Sequence, residues 1–445
     1  MKISLTHPNR RTFKKTANLS GTVRVPGDKS MTHRAILFAL LAEGTTRIEG
    51  WLNAADCRSS LEVAKQLGAS VSFEQESLLI KGTGGSLKEP ENVLDCGNSG
   101  TTIRLFSGAI ASQVSFACLT GDDSLRRRPM GRVLKPLAEM GAIAYARSGS
   151  YAPFALIGQS PLSAIRYTLP VPSAQVKSAV MLAGLHAPKA GGVTTIIESQ
   201  PSRDHTERML LGFGVQVDME KEGEKRYISI RAEQPLRATS VEIPGDASSA
   251  AFLLVAAAIV PDSDVTIEHV GLNPTRIGFL KVLQRMGAHV EILNQRESAG
   301  EPLGNVRVRY QPLSGTDILP EEIPSLIDEI PILAVAAAVA EGKTTIRGAG
   351  ELRVKETDRI LAMAKGLQTL GVHVEEADDG LTIIGGKLNG GVVDSFHDHR
   401  IAMSFAVAGL AAEQEVTIEN WSAVDISFPT FSDLILELQR ERKFE

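Results

Sequence analysis

Apolar positions along this chain fall into an order of patterns that repeats. A run of small apolar residues comes first, as in Ala35-Ile36-Leu37-Phe38-Ala39-Leu40-Leu41 or Ile332-Leu333-Ala334-Val335-Ala336-Ala337-Ala338. Apolar on nearly every side, such a run predicts a helix buried over most of its surface. A short stretch such as Thr45-Thr46-Arg47-Ile48-Glu49 or Lys343-Thr344-Thr345-Ile346-Arg347 follows and predicts a strand. Next comes a segment of helical period, for example Asp56 to Leu67. It ends on a five-residue phrase: a large apolar residue, Gly, Ala or Val, any residue, then Val or Ala. Gly supplies the left-handed backbone that closes a helix, and the residues after it begin a strand. Alternating strands such as Leu78-Leu79-Ile80 and Tyr227-Ile228-Ser229-Ile230 complete the pattern.

The phrase occurs around Gly68, Gly141, Gly214, Gly287 and Gly371, at intervals of 73, 73, 73 and 84 residues. Spacing this regular predicts one supersecondary unit copied several times. The small-residue helix occurs six times, starting near Lys29, Gly100, Ser173, Asp246, Asp328 and Asp398. The chain therefore reads as six βαβαββ-like copies, the sixth cut short after 428–438, and Lys2-Ile3-Ser4-Leu5 could lend that copy a strand. Six such helices exceed one core at this length, so the expected fold class is α/β (α+β) with two domains of three copies each. The expected boundaries are residues 22–243 for one domain, and 1–21 with 244–445 for the other. A solenoid is the alternative, but solenoid repeats are shorter.

Composition then excludes several function classes. The 445 residues are 43% hydrophobic and 22% charged, as in an ordinary soluble protein. The net charge of −5, with no basic stripe or interleaved aromatic platform, argues against a nucleic-acid partner. Three cysteines, Cys57, Cys96 and Cys118, lack zinc spacing and fit a reducing cytoplasm as small buried thiols. His33, His205 and His399 share ligand spacing with no acid, so they read as hydrogen-bonding partners and no metal is expected. No apolar run approaches membrane-spanning length, and the basic N-terminus has no apolar core behind it. A cytoplasmic protein, outside the membrane and acting as a monomer, is expected.

The chemistry collects where the copies predict helix starts. These carry Asp28-Lys29-Ser30-Met31-Thr32-His33-Arg34, Gly97-Asn98-Ser99-Gly100-Thr101-Thr102-Ile103-Arg104, Arg126-Arg127-Arg128-Pro129, Ser173-Ala174-Gln175, Ser202-Arg203-Asp204-His205, Asp328-Glu329, Arg353-Val354-Lys355-Glu356-Thr357-Asp358-Arg359 and Asp398-His399-Arg400. A cation at a helix N-terminus opposes the macrodipole, so placing Lys29, Arg128, Lys355 and Arg400 there costs stability. A bound anion reverses the sign, because free N–H groups, dipole and cation then act together. Each element alone has a plainer reading: Asp28, Ser173, Asp246 and Asp398 as N-caps, Arg126 and Arg127 paired with Asp122 and Asp123, Asn98-Ser99-Gly100 as a turn, and Lys355 to Arg359 as a solvated helix face. Cations at matched places in five of six copies favour the anion-binding reading. If the helices of each domain run parallel, these ends converge, and two such faces across a hinge would form a cleft attractive to phosphates and carboxylates.

These segments, above all Leu352-Arg353-Val354-Lys355-Glu356-Thr357-Asp358-Arg359, resemble the EPSP synthases, a family of enolpyruvyl transferases, over essentially the whole chain. The resemblance implies an inside-out α/β barrel in each domain, two interdomain crossovers and an interdomain active-site cleft. It implies transfer of enolpyruvyl from phosphoenolpyruvate to the 5-hydroxyl of shikimate 3-phosphate, on the route to chorismate and the aromatic amino acids, with no metal or organic cofactor. Carried over by position, Lys29, Ser30, Arg34, Ser173, Ala174, Gln175, Arg203, Asp328 and Lys355 match the shikimate 3-phosphate site. Lys29, Gly100, Arg128, Gln175, Arg359 and Arg400 match the phosphoenolpyruvate site. Asp328 matches the proton acceptor and Glu356 its partner in proton transfer, with Lys29 as the third catalytic group. Two departures stand out. Ala174 replaces a second serine, and Asp425-Ile426-Ser427-Phe428-Pro429 lacks the lysine many members carry before the Phe-Pro pair. Both occur together in one active branch of the family.

The nearest rival is the UDP-N-acetylglucosamine enolpyruvyl transferase, which the resemblance gives the same fold. It has Lys-Asn where this chain has Lys29-Ser30, and a loop cysteine where this chain has Ser124 to Arg128. The RNA 3′-phosphate cyclases use a similar unit in fewer copies. A non-catalytic binding protein is disfavoured by the retention of both carboxylates. Gly100, lacking a side chain, is expected to leave room for bulkier phosphoenolpyruvate mimics such as glyphosate. The insertion behind the 84-residue interval is expected around 298–324, as a segment that moves on closure.

Overall fold

The computed structural model describes residues 9–158, 162–185 and 192–440. Each copy contributes a buried helix followed by a second helix. These pairs are α1 (Lys29–Leu41) and α2 (Ala55–Gln66), α3 (Gly100–Ala111) and α4 (Gly131–Glu139), α5 (Ala174–Leu185) and α6 (His205–Gly212). The later copies give α7 (Ala247–Ile259) and α8 (Gly278–Arg285), α9 (Ile330–Val339) and α10 (Arg359–Thr369), α11 (His399–Ala411) and α12 (Phe431–Leu438). All thirteen residues of α7 are buried, as its Ala-rich sequence requires. The five-residue phrases end α2, α4, α6, α8 and α10, with the large apolar residue at the C-cap and the glycine at positive φ, +109° at Gly68 and +83° at Gly371.

The sheets share one plan. In the second copy the strand Leu94–Asp95 runs parallel to Ala117–Thr120, which pairs antiparallel with Tyr151–Ile157, which pairs antiparallel with Ile143–Arg147. Six small sheets follow this order, five of four strands and one of three. The parallel pair flanks the buried helix and the hairpin follows the second helix, so the expected βαβαββ unit and α/β class hold.

The first strand of a sheet can come from a distant part of the chain. Ser240–Glu242 lies parallel to Thr45–Glu49 and completes the first sheet. Ser20–Arg24 lies parallel to Asp264–Gly271, and Arg10–Phe13 lies antiparallel to Val416–Glu419. The strand expected from Lys2-Ile3-Ser4-Leu5 lies outside the described residues.

Two compact units result, each with its own core. One comprises residues 27–244 with 297–301, and the other comprises the remaining described residues. Because Ser20–Arg24 pairs with Asp264–Gly271, residues 22–26 go with the second unit. In the first unit, α3 and α5 approach so closely that a Cβ on Gly108 would lie 2.2 Å from the Ala179 carbonyl oxygen. Only glycine permits that crossing, which sets the N-terminal ends of the two helices side by side.

Candidate functional site

In the 27–244 unit the N-terminal ends of α1, α3 and α5 carry the candidate residues. Asp28 caps α1 by accepting from the Met31 N–H at 2.8 Å, and Ser99 caps α3 by accepting from the Thr102 N–H at 3.0 Å. The plain capping reading is thus correct for Asp28, while Ser99, expected plainly as part of a turn, is also a cap; the cations stand beside the caps. Lys29 opens α1, with Nζ 3.2 Å from Asp56 Oδ2. Gln175, in the first turn of α5, accepts at Oε1 from Arg104 Nη1 at 2.7 Å and donates through Nε2 to Thr101 at 2.9 Å. This pair of bonds fixes which way the amide faces beside Gly100. Arg128 donates to Asn98 Oδ1 at 3.0 Å and Ser124 Oγ at 3.1 Å.

Arg34 is buried, and its guanidinium donates to Thr206 Oγ1 at 2.7 Å, the Ser30 carbonyl at 3.0 Å and Ser178 Oγ at 3.1 Å. Burial lowers its pKa to about 10 despite the carboxylates of Glu207, Asp28 and Glu301, and Arg203 lowers it further. It remains a cation near neutral pH. Glu207 also belongs to a fully buried set in which Lys177 Nζ lies 2.6 Å from Glu207 Oε1 and 3.1 Å from Glu198 Oε1. An ammonium buried at this depth requires such partners. Ser30, Ser173, Ala174 and Arg203 are half-buried around the same helix ends.

In the other unit the candidates converge on Asp328 and Arg359. The Arg359 guanidinium, 1% exposed, donates from Nε to Asp398 Oδ2 at 2.8 Å and from Nη2 to Glu356 Oε2 at 2.7 Å. Its Nη1 reaches Asp328 Oδ1 at 3.4 Å. Burial alone would lower its pKa, but Asp398, Glu356 and Asp328 outweigh burial and raise it far above its ordinary value. Lys355 Nζ lies 3.5 Å from Asp328 Oδ1, and Arg400 donates from Nη1 to the Asp328 carbonyl at 3.1 Å. One guanidinium therefore holds both candidate proton-handling carboxylates, and two further cations touch the first of them.

Some expected placements shift. Lys29 and Arg400 lie in the first turn of α1 and α11, but Arg128 and Lys355 do not sit on helix ends. Pro129 holds Arg128 extended (ψ 136°) ahead of α4, and Lys355 is extended between a 3-10 turn, Gly350–Val354, and the Asp358 cap of α10. Asp328 sits in a 3-10 turn, Ile327–Glu329, before α9 begins. Pro331, which suits a first helical turn, sets that start. Arg126 does pair with Asp123, as its plain reading holds.

Sequence reasoning did not single out Asp56, Ser178 or Thr206, and it placed Arg104 and Lys177 at helix starts without giving either a role. It took Asp398 as a cap only. Asp398 does cap α11, accepting from the Arg400 N–H at 2.8 Å, and also anchors Arg359. A hydroxyl inside a mostly apolar helix, as at Ser178 in α5, was the available signal for the Arg34 contacts.

Among the described residues no helix is long and apolar enough to cross a membrane. Residues 13–435 match the sequence model of EPSP synthase (3-phosphoshikimate 1-carboxyvinyltransferase). The chain is 52% identical over 422 residues to the 3-phosphoshikimate 1-carboxyvinyltransferase of Thermus thermophilus, covering 94% of this chain and 96% of the relative. It is 48% identical over 437 residues to the enzyme of that name from Zymomonas mobilis, covering 96% of each. An EPSP synthase structure from Acinetobacter baumannii superposes with a TM-score of 0.86 at 42% identity, over 97% of this chain and 98% of that one. With its six-copy fold and these cations and carboxylates, the chain belongs to the EPSP synthase family.

Proposed function

We propose that the chain transfers the enolpyruvyl group of phosphoenolpyruvate to the 5-hydroxyl of shikimate 3-phosphate, releasing phosphate, as a step toward chorismate. Family membership supports this reading over the UDP-N-acetylglucosamine alternative. Lys29, Ser30, Arg34, Ser173, Ala174, Gln175, Arg203, Asp328 and Lys355 are assigned to shikimate 3-phosphate. Lys29, Gly100, Arg128, Gln175, Arg359 and Arg400 are assigned to phosphoenolpyruvate. Both substrates are multiply anionic, which suits cations held in place before the substrate arrives.

In the addition step the 5-oxygen bonds to C2 of the enol and its proton passes to Asp328. The C2–C3 π electrons take a proton at C3, supplied from Glu356 or Lys29. In the elimination step the C2–oxygen bond to phosphate breaks and the departing phosphate takes the proton held on Asp328, while C3 returns a proton to the group that supplied it and the C2–C3 double bond re-forms. Protons are conserved over the two steps. Positioned acid–base groups contribute about 10²–10⁴-fold each.

The shared hold of Arg359 on Asp328 and Glu356 carries this reading, because it orients two carboxylates at one place. Purified protein mixed with both substrates should release phosphate. Release from phosphoenolpyruvate with UDP-N-acetylglucosamine alone would establish the rival instead. Asp328→Asn should lower kcat about 10²–10⁴-fold while the protein stays folded, as followed by phosphate release and circular dichroism.

A further inference from the structure

Glu329 follows Asp328 in the chain, is 1% exposed and takes no part in the proton transfers above. A buried carboxylate needs partners, and those of Glu329 form a directed chain. The Ser248 hydroxyl, in the first turn of α7, donates to Glu329 Oε1. Arg276, also buried, donates from Nη2 to Ser248 Oγ at 2.8 Å and to Asp246 Oδ1 at 3.0 Å, and Asp246 is the α7 cap. On its other side Glu329 Oε1 lies 3.8 Å from Arg400 Nη1. The network thus links the N-terminal ends of α7, α9 and α11, and it ends on a cation assigned to phosphoenolpyruvate.

The distances matter. At 3.8 Å the Glu329 carboxylate attracts the Arg400 guanidinium without taking a hydrogen bond from it. Among the described contacts Arg400 spends one N–H on the Asp328 carbonyl. Its other N–H groups stay on a guanidinium that is oriented electrostatically. A long side chain held this way loses less rotamer freedom when an anion binds, a cost otherwise met at binding.

We propose that Glu329, fixed by Ser248 and Arg276, is a positioning residue that presents Arg400 to phosphoenolpyruvate and so sets the affinity for that substrate alone. This rests on the assignment of Arg400 given above.

The test measures KM for each substrate, kcat and Tm for Glu329→Gln, Ser248→Ala, Arg400→Lys and the Glu329→Gln/Arg400→Lys double variant. Glu329→Gln should raise KM for phosphoenolpyruvate about tenfold, with KM for shikimate 3-phosphate within about twofold. Ser248→Ala, which keeps the carboxylate, should give a smaller change in the same direction and serves if Glu329→Gln does not fold. The double variant should be no worse than Arg400→Lys alone, because the two changes break one link.

Rises in both KM values that track a lower Tm, or additive effects in the double variant, would mean that Glu329 serves only the fold, and the proposal would be wrong. An unchanged phosphoenolpyruvate KM in Glu329→Gln would overturn it too, while leaving the Arg400 assignment intact. An unchanged phosphoenolpyruvate KM in Arg400→Lys would refute that assignment and the inference with it.

Discussion

At the scale of single residues, the site is built by confining charges rather than by accumulating them. Arg34 and Arg359 are both buried, yet burial wins at the first and carboxylates win at the second. His33 shows the same competition in a group that titrates. Its imidazole accepts or donates at Nδ1 to Ser60 Oγ over 2.7 Å, and Ser60 continues through Thr102 Oγ1 to the Ser99 cap of α3. Burial is the main cause that lowers its pKa to about 3; Asp56 opposes this, and Lys29 and Arg34 add to it. Between pH 6.5 and pH 3 the unfolded chain takes up a proton at His33 that the folded chain refuses. Stability from this group is therefore full above pH 6.5 and falls as pH drops toward 3. Moving from pH 7 to pH 5 should cost the wild type about 2 kcal/mol more than a His33→Asn variant. Urea unfolding at the two pH values measures this, and equal losses would sink the idea.

Gly100 supplies a second prediction at this scale. A Cβ there would meet Arg104 Nη1 at 2.9 Å and Arg128 Nη1 at 3.4 Å, the far ends of two long side chains. Gly100→Ala should fold, since those ends can shift, but should crowd a phosphoenolpyruvate mimic. Forcing a methyl into a tight place costs about 1–3 kcal/mol. The inhibition constant of glyphosate should rise about tenfold or more, with a smaller rise in KM for phosphoenolpyruvate. Equal rises would refute the placement of Gly100 against that substrate.

At the scale of elements, what was legible in the sequence and what was not divide by range. The helix ends at Gly68, Gly141, Gly214, Gly287 and Gly371 were legible because φ, capping and hydrophobic period are local properties. So was the list of candidate residues, because the copies fix their positions. The partners were not: Thr206 and Ser178 reach Arg34 across 172 and 144 positions, and Arg400 meets Asp328 across 72. No local pattern encodes such pairs. The exact start of a helix was also misjudged where proline decided it, at Pro129 and Pro331. The α3–α5 crossing gives an element-level test. Gly108→Ala drives a methyl against the Ala179 carbonyl and should destabilise the protein by about 1–3 kcal/mol. It should also raise KM for phosphoenolpyruvate by prising Gln175 away from Arg104. Loss of stability with unchanged KM would show that the crossing does not set that geometry.

At the scale of the whole molecule, the 84-residue interval is explained in part by long strands. His289–Ser298 and Glu301–Arg309 have ten and nine residues, against five to seven in the other paired hairpins. Their tip, 297–301, packs with the 27–244 unit, where Glu301 Oε1 lies 2.7 Å from His205 Nδ1 and both are buried. The extra length thus begins before the 298–324 stretch where sequence placed it.

The borrowed strands carry one more consequence, for the order in which a ribosome delivers this fold. Residues 27–244 include every strand their three sheets require, so that part can close as soon as Ser240–Glu242 is made. Ser20–Arg24 is synthesised early, but its neighbour Asp264–Gly271 follows some 240 residues later. At about 5–20 residues per second, that strand waits roughly 10–50 s with its hydrogen-bonding edge unmet. Arg10–Phe13 waits longer still, for Val416–Glu419. The alternating Arg10-Arg11 and Lys14-Lys15 pairs around it put like charges on an unpaired edge, a safeguard against joining another nascent chain during that delay.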